Sequence, residues 1–305
     1  MERTRNTAER SLRLPEFATE RYTAIRLLGQ GGIASVFQVL DNSTGSPVAL
    51  KVLHSELAES PVQRHRLRRE FEILRALNNP GIARALDFHE TADASPFFTL
   101  ELIEGENLEI RSRDSNLSIR EILEVLHHVA QTFGYLHDSG VVFCDLKLSN
   151  IMLRNDTRSG ATVLIDFGLA HDGGRFYQEL PRTGSLVGTS LYMAPEQIRG
   201  DSPTPLVDVY AFGVMAYELL AGRTPFESND TFNITNSHLL AEVPDVRELN
   251  PKVPRDVATM IQVCLAKDPI ERYQSMWELA ERIHAIRVRL AHQPPKKGFL
   301  RFLGF

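Results

Sequence analysis

Short apolar runs of β-prone residues dominate the segment from Arg21 to Leu53. Runs over Tyr22–Leu28, Ser35–Leu40 and Pro47–Val52 are separated by glycine-rich or Asn-Ser-Thr-Gly segments that favour turns. This pattern predicts an antiparallel meander. A charged helical stretch over Val62–Leu77 and a buried strand over Phe97–Ile103 are predicted to follow it.

Beyond Gly105 the apolar residues change to a helical period. Ser118 and Glu121 have the spacing of a capping box, and apolar residues then recur at helical spacing from Ile119 to Gly140. Further helix signals occur over Pro205–Ala221, over Asp256–Ala266 and after a second capping box, Ser275 with Glu278. The pattern therefore predicts a small β-rich lobe followed by a larger, mostly helical lobe.

The composition divides the chain into three segments. Residues 1–20 are polar and charged, and they are predicted to form a flexible lead-in. Residues 21–290 form the predicted folded domain, with an N-lobe over 21–103 and a C-lobe over 104–290. Residues 291–305 form a basic and aromatic tail, for which the sequence leaves two interpretations open: a solvated tail, or a weak contact with a membrane surface or docking partner.

Composition and charge exclude several classes of protein. The 43% of hydrophobic and 24% of charged residues are typical of soluble globular proteins. A net charge of -5 supplies no basic field for a phosphate backbone, so no nucleic-acid partner is expected. Cys144 and Cys264 have neither disulfide nor metal-ligand spacing, and no apolar stretch reaches the roughly 20 residues of a membrane span. A cytoplasmic protein with two free thiols is expected.

Gly29 to Val36 form a candidate loop for covering phosphates. Gly29 and Gly31 lack a Cβ, which lets backbone N–H groups approach phosphate oxygens closely. Ala34 stands where the pattern G-x-G-x-x-G has its third glycine. On its own, the segment is more typical of an ordinary hairpin turn.

Lys51 lies in an otherwise apolar strand, 22 residues after Gly29. A buried ammonium group is unfavourable without a partner. We expect a carboxylate on the next helix, Glu70 in preference to Glu72, to provide it. The alternative is an edge-strand lysine that reaches solvent.

Three further motifs follow in order. They are Phe143-Cys144-Asp145-Leu146-Lys147-Leu148-Ser149-Asn150, then Val163-Leu164-Ile165-Asp166-Phe167-Gly168, and then Ala194-Pro195-Glu196. The glycine loop and Lys51 precede these three motifs. With all five features in this order, residues 22–290 closely resemble a eukaryotic-type (Hanks-type) serine/threonine protein kinase domain. The sequence of residues 183–197 is similar to that of bacterial members of this family. The resemblance implies an α+β, bilobal protein kinase fold.

The resemblance also implies roles for the polar residues of these motifs. Asp145 would accept or orient the proton of the substrate hydroxyl, and Lys147 would neutralise charge on the transferring phosphoryl group. Asn150 and Asp166 would hold Mg²⁺, with Mn²⁺ as a substitute, through oxygen atoms. Lys51 would bind the phosphates of ATP.

The adenine of ATP is expected to contact apolar residues and the segment that follows the strand at 97–103. Val36, Ala49 and Met152 look like the residues that sandwich adenine, although core packing is an alternative for each. Glu101 and Ile103 look like the backbone positions that bind the adenine edge.

Other positions resemble parts of the kinase activation segment and scaffold. Thr183 and Ser185 are candidate autophosphorylation sites, and Thr189 would position the substrate hydroxyl. Glu196 is predicted to form an ion pair with Arg272. Asp208 and Arg272 are interpreted as structural residues.

The sequence departs from the family pattern at two positions. Phe143 and Cys144 replace the usual His-Arg before the catalytic aspartate. Phe143 is expected to pack with Phe167, Leu74 and Leu86. Because that arginine commonly binds a phosphorylated loop residue, Cys144 predicts weaker dependence on loop phosphorylation. Cys144 is either an inert filler or, in the alternative that the sequence favours less, a redox switch.

The function implied by the resemblance is transfer of the γ-phosphoryl group of Mg-ATP to serine or threonine hydroxyls of protein substrates. A pseudokinase-type binding scaffold is the main alternative. A small-molecule phosphotransferase with the same lobes is a second alternative, which the presence of Glu196 and Arg272 disfavours.

Overall fold

The computed structural model describes residue 18 and residues 20–91, 94–114, 117–155, 162–171 and 190–292. Within these ranges a β-rich N-terminal lobe precedes a mostly helical C-terminal lobe. The predicted α+β architecture of two lobes is confirmed.

The N-terminal lobe is built on one antiparallel sheet. Its strands are β1 (Tyr22–Gln30), β2 (Ala34–Asp41), β3 (Ser46–Leu53), β4 (Ala85–His89) and β5 (Phe97–Glu101). They lie in the order β1-β2-β3-β5-β4. Helix α1 (Pro61–Ala76) connects β3 with β4 and contacts both strands.

The two faces of this sheet carry different side chains. Neighbouring residues of a strand point to opposite faces. Val48, Leu50 and Val52 of β3 join an outer cluster, a group of buried residues that also contains Tyr22, Phe37, Val39 and Phe97. Ala49 and Lys51 therefore point to the other face, toward α1 and the second lobe.

The apolar stack that joins the lobes is largely as predicted. Phe143, Phe167 and Leu74 belong to one buried cluster, and the two phenylalanine rings meet edge to face at 4.9 Å. The prediction of Leu86 as the fourth member is wrong, because Leu86 packs against the outer cluster. The neighbouring residue Ala85 belongs instead to the buried cluster that contains Phe143 and Phe167. Adjacent residues of β4 point to opposite faces of the sheet.

The C-terminal lobe combines a small sheet with eight helices in the ranges that the structure describes. The sheet contains β6 (Gly105–Asn107), β7 (Ile151–Arg154) and β8 (Thr162–Leu164), in that order and antiparallel. The helices are α2 (Leu108–Asp114), α3 (Ile119–Asp138), α4 (Pro195–Arg199), α5 (Pro205–Ala221), α6 (Thr231–Leu240), α7 (Val246–Leu249), α8 (Arg255–Cys264) and α9 (Met276–Ala291).

Helix α5 is the core of the second lobe. The Thr204 side chain caps its N-terminus, Pro205 fills its first turn, and Gly222 ends it with a left-handed φ of 77°. Twelve of its seventeen residues are buried. A helix that is apolar on nearly all sides is stable only inside a lobe, and α5 accordingly packs against α3, α7 and α8.

Helices α3 and α9 pack closely at one glycine. The capping box of Ser118 and Glu121 starts α3 as predicted. A Cβ on Gly134 of this helix would lie 2.5 Å from Cε2 of Trp277 on α9, so only glycine permits the contact. The Trp277 indole N–H also donates to Oδ2 of Asp138 at 2.9 Å.

In the part of the chain that the structure describes, no helix combines the length and apolar character needed to cross a membrane.

Candidate active site

Strand β3 and helix α1 bring Lys51 and Glu70 together. Nζ of Lys51 lies 2.6 and 2.8 Å from the two carboxylate oxygens of Glu70 and 2.7 Å from Oδ1 of Asp166. The side chains of Lys51 and Glu70 are only 8% and 3% exposed. Glu72 is exposed to solvent, so the carboxylate beside Lys51 is the preferred Glu70.

Two carboxylates keep Lys51 charged. Burial by itself would lower the pKa of this ammonium group, but Asp166 and Glu70 overcome the effect and raise its pKa. The charge of Lys51 lowers the pKa of Asp166. Burial raises the pKa of Glu70, and Lys51 opposes that rise. Lys51 is therefore a fixed cation that faces Asp166.

The loop before β7 gathers Asp145, Lys147 and Asn150. Nζ of Lys147 donates to Oδ2 of Asp145 at 2.8 Å. Nδ2 of Asn150 donates to the same oxygen at 3.0 Å and to the Asp145 carbonyl at 2.8 Å. Burial raises the pKa of Asp145, with Lys147 opposing the rise. A carboxylate with a raised pKa is a better proton acceptor than an ordinary aspartate.

Asn150 and Asp166 can provide oxygen atoms to a cation. Because Nδ2 of Asn150 faces Asp145, its Oδ1 points away from that residue. The Asp166 side chain is half exposed beside Lys51. Amide and carboxylate oxygens suit Mg²⁺, which usually completes its coordination with phosphate oxygens and water. The residues present therefore fit a divalent metal bound together with a nucleotide.

Asp208 fixes the backbone just before Asp145. Its two carboxylate oxygens accept from the N–H groups of Phe143 at 2.8 Å and Cys144 at 2.9 Å, and its side chain is fully buried. Nε2 of His137 lies 2.9 Å from the same carboxylate. Sequence reasoning missed His137, which carries no motif signal of its own. These bonds support the backbone of Cys144, which has a left-handed φ of 64°.

The β1–β2 hairpin carries the predicted phosphate-covering loop. The N–H of Gly31 donates to the carbonyl of Ala34 at 2.9 Å. A Cβ on Gly29 would meet no atom within 4 Å, so packing inside the protein does not require glycine there. Ala34 is buried, which shows that its methyl group is accommodated. Val36 pairs with Lys51 across β2 and β3, so both side chains lie on one face of the sheet.

The residues predicted to meet adenine lie on β3, at the end of β5, in the connection that follows it, and on β7. Ala49 is two residues before Lys51 and therefore shares its face of β3. Glu101 ends β5, where Oε1 accepts from the Arg84 N–H and from Nη2 of Arg154, each at 3.1 Å. Ile103 follows in the connection to β6. Met152 is half-buried on β7.

The family model described as a protein kinase domain matches residues 22–283. This chain belongs to the protein kinase domain family. The predicted identification as a Hanks-type kinase similar to bacterial members is confirmed. Members of this family in general use ATP with a divalent metal ion.

Curated relatives of this kinase domain come from several bacteria. It is 33% identical over 281 residues to the serine/threonine-protein kinase PknA of Mycobacterium tuberculosis, which covers 90% of this chain and 63% of that protein. It is 35% identical over 271 residues to the DNA damage-responsive serine/threonine-protein kinase RqkA of Deinococcus radiodurans. That alignment covers 86% of this chain and 40% of the relative. The chain thus spans about three fifths or less of the length of these relatives.

The kinase domain holds its Ala-Pro-Glu motif through a buried ion pair. Arg272 donates from both terminal nitrogens to the carboxylate of Glu196, at 2.6 and 2.8 Å. The Arg272 side chain is fully buried, and its guanidinium lies over the Tyr210 ring. The predicted sites Thr183, Ser185 and Thr189 lie outside the described residues.

Cys144 has the surroundings of an inert thiol. Burial raises its pKa well above the usual range, and the charges of Asp208 and Asp145 raise it further. The redox-switch interpretation required a lowered pKa from a nearby lysine. The nearest lysine in the motif, Lys147, is paired with Asp145 instead. The structure therefore favours the interpretation of Cys144 as a filler.

We expect Cys144 to react with iodoacetamide more than about 10-fold more slowly than a free cysteine at about pH 8, because little thiolate is present. Peptide mass spectrometry after timed alkylation measures the rate. Cys264, which is fully buried, should be equally slow, and both thiols should react rapidly in denaturant. Rapid alkylation of Cys144 alone in the native protein would contradict this expectation.

Proposed function

We propose that this kinase domain transfers the γ-phosphoryl group of ATP to serine or threonine hydroxyls of proteins. One observation carries the proposal: Lys51, in contact with Glu70 and Asp166, occurs together with a loop in which Lys147 and Asn150 both contact Asp145. Such a set provides a phosphate-binding cation, oxygen ligands for a metal and a proton acceptor. The names of the curated relatives support the serine/threonine class.

Each polar side chain has a distinct part in the proposed reaction. Asp145 accepts the proton of the attacking hydroxyl, and its raised pKa favours that acceptance. Lys147, which already contacts Asp145, stabilises negative charge on the phosphoryl group during transfer.

The nucleotide is held by residues of both lobes in this proposal. Lys51, which its ion pair with Glu70 holds in place, binds the α- and β-phosphates. Asn150 and Asp166 would hold Mg²⁺, with Mn²⁺ able to substitute, and the metal would supply positive charge beside the phosphates. Gly29, Gly31, Ala34 and Val36 cover the phosphates, and Ala49, Glu101, Ile103 and Met152 receive the adenine.

Regulation and location belong to the proposal as well. Thr183 and Ser185 remain predicted autophosphorylation sites, and Thr189 remains the predicted contact of the substrate hydroxyl. Unpaired Cys144 and Cys264 are consistent with a cytoplasmic location. The predicted contact of the C-terminal tail with a membrane or docking partner falls outside the described residues.

The rival functions fit less well. A binding scaffold would not need a carboxylate that is only 10% exposed and contacts both a lysine and an asparagine, as Asp145 does. A small-molecule phosphotransferase would not need the Glu196–Arg272 pair, which holds the Ala-Pro-Glu segment used by kinases of proteins.

The direct test is transfer of label from γ-labelled ATP. We expect label on serine or threonine of the protein itself and of a generic basic protein when Mg²⁺ is present, and none when the metal is chelated. Phosphoamino-acid analysis identifies the acceptor. If the protein binds ATP but labels neither substrate over long incubation, the scaffold interpretation replaces the proposal.

A further inference from the structure

Three imidazole rings meet where α3 packs against α9. His127 and His128 lie on α3, and His284 lies on α9. The ring centre of His127 is 6.2 Å from that of His128 and 5.8 Å from that of His284. We call these three residues the histidine seam. None of them belongs to the motifs that provide the candidate active site.

The histidine seam helps to decide how α9 is held. Helix α9 packs mainly against α3 and contacts α8 less extensively. Its first turn meets the C-terminal end of α3, where Trp277 contacts Gly134. Its later turns meet the N-terminal half of α3, where the buried residues Ile283 and Ile286 lie on either side of His284 in sequence. The seam therefore lies at the opposite end of this helix pair from Trp277.

The charged groups that face His127 come from both helices. Nη2 of Arg287 on α9 lies 2.6 Å from Oε2 of Glu124 on α3, and the two side chains are 24% and 30% exposed. Glu124 is one turn before His127, so it neighbours this ring while it pairs with Arg287. A proton on His127 would face Arg287 and the rings of the other two histidines. In the described part of the chain, Glu124 is the carboxylate that opposes this repulsion.

The rings of the seam are poor sites for additional protons. Nδ1 of His128 is buried, and it has no hydrogen-bond partner among the residues that the structure describes. A proton added there would become a buried donor without an acceptor. Burial, and then the charge of Arg287, lower the pKa of His127 from the ordinary 6.5 to about 4, and Glu124 opposes this change.

We propose that the histidine seam is an acid-sensitive switch, which holds α9 against α3 while its rings are neutral and releases α9 when they are protonated. Protonation places positive charges beside one another and beside Arg287, across the contact of the two helices. Because α9 packs mainly against α3, it separates before the rest of the lobe unfolds. The proposal concerns helix packing and does not depend on phosphoryl transfer.

The pH range of the switch follows from the lowered pKa of His127. The unfolded or released ring, with a pKa of about 6.5, binds more protons than the packed ring between about pH 6.5 and about pH 4. The stabilising contribution is therefore complete above about pH 7 and is lost as the pH falls through this range. Full linkage would favour release by about 30-fold at about pH 5, and solvent screening of this partly exposed ring reduces the expected change to about 5- to 10-fold.

Hydrogen exchange at about pH 7.5 and about pH 5, corrected for the intrinsic effect of pH on exchange, measures the release of α9. We expect the protection of α9 to fall about 5- to 10-fold in acid, while the buried helix α5 keeps its protection. His127→Gln cannot be protonated, so this variant should keep similar protection of α9 at both pH values. His292→Gln is the matched control, because His292 follows α9 and lies outside the seam, and it should behave like the native protein.

A titration followed by NMR tests the same proposal in the native protein. The imidazole signal of His127, identified by its absence from His127→Gln, should titrate with a midpoint below about pH 5.5. Arg287→Gln should raise this midpoint, because it removes the facing cation and leaves the charge of Glu124 unpaired beside the ring.

Three results would overturn the proposal. A native midpoint near about pH 6.5, the value of an ordinary histidine, would show that the fold does not disfavour the proton. An equal acid loss of α9 protection in the native protein and in His127→Gln would place the sensitive group elsewhere, for example at His238, where burial also lowers the pKa to about 4. An equal loss of protection in α5 and α9 would mean that the lobe unfolds as a whole.

Discussion

Substitution of Asp145 by asparagine is expected to lower kcat by about 10²- to 10⁴-fold, the range for removal of a general base. The amide is nearly the same size and can still accept from Nζ of Lys147, so the loop should keep its geometry. It cannot take up the proton of the attacking hydroxyl. The affinity for ATP should remain within about 2-fold, because Lys51 and Asp166 form a separate ion pair.

Labelled phosphate transfer measures kcat, and calorimetric titration with ATP measures affinity. Asp201→Asn is the matched control, because this exposed carboxylate of the same lobe has no part in the site and should leave kcat unchanged. Native transfer by Asp145→Asn would show that another group accepts the proton, and the assignment of Asp145 would then fail.

Substitution of Arg272 by methionine is expected to lower the free energy of unfolding by about 3 to 5 kcal/mol, the cost of breaking a buried ion pair from one side. The change would leave the carboxylate of Glu196 buried without its cation. It would also remove donors from the carbonyls of Ala266 and Leu206, which Arg272 reaches at 2.8 and 2.9 Å. Urea denaturation measures the loss.

Two companion variants make the result interpretable. Arg223→Met removes one partner of an exposed pair, in which Arg223 and Glu227 have side-chain exposures of 55% and 51%. It should cost less than about 1 kcal/mol. Adding Glu196→Gln to Arg272→Met removes the unpaired negative charge of the Glu196 carboxylate. The double variant should therefore recover part of the lost stability. A loss in Arg272→Met no larger than in Arg223→Met would show that the buried pair does not stabilise this lobe.

The fold could be predicted where local signals and burial agree. Helix α5 spans Pro205–Ala221 as predicted, because a proline at its start and a glycine at its end bound an apolar stretch. Strand β5 ends at Glu101, two residues before the predicted end. The apolar Leu102 and Ile103 continue the pattern of a strand but belong to the connection with β6.

Some elements carry no clear periodicity. Strand β4 was not predicted, because Ala85–His89 includes Asp87 and His89 and only one of its residues is buried. Helix α6 was also missed, since Thr231–Leu240 is rich in threonine and asparagine, which have low helix propensity. Tertiary packing stabilises both elements, and a single sequence does not contain that information in local form.

The candidate site shows the same division. Lys51, Asp145, Asn150 and Asp166 are recognisable because their motifs are local. The raised pKa of Cys144 results first from burial and then from the charge of Asp208, a residue 64 positions away in sequence, and therefore could not be predicted.

Because Trp277 packs against Gly134, its fluorescence can report on the packing of α3 against α9. Trp277 is the single tryptophan of the chain, and it is partly exposed at the junction of α3 and α9. Its fluorescence should shift to longer wavelength when these two helices separate and water reaches the indole. The N-terminal lobe contains no tryptophan and should contribute little to this signal. If the unfolding transitions followed by fluorescence and by circular dichroism have different midpoints, the two lobes unfold separately.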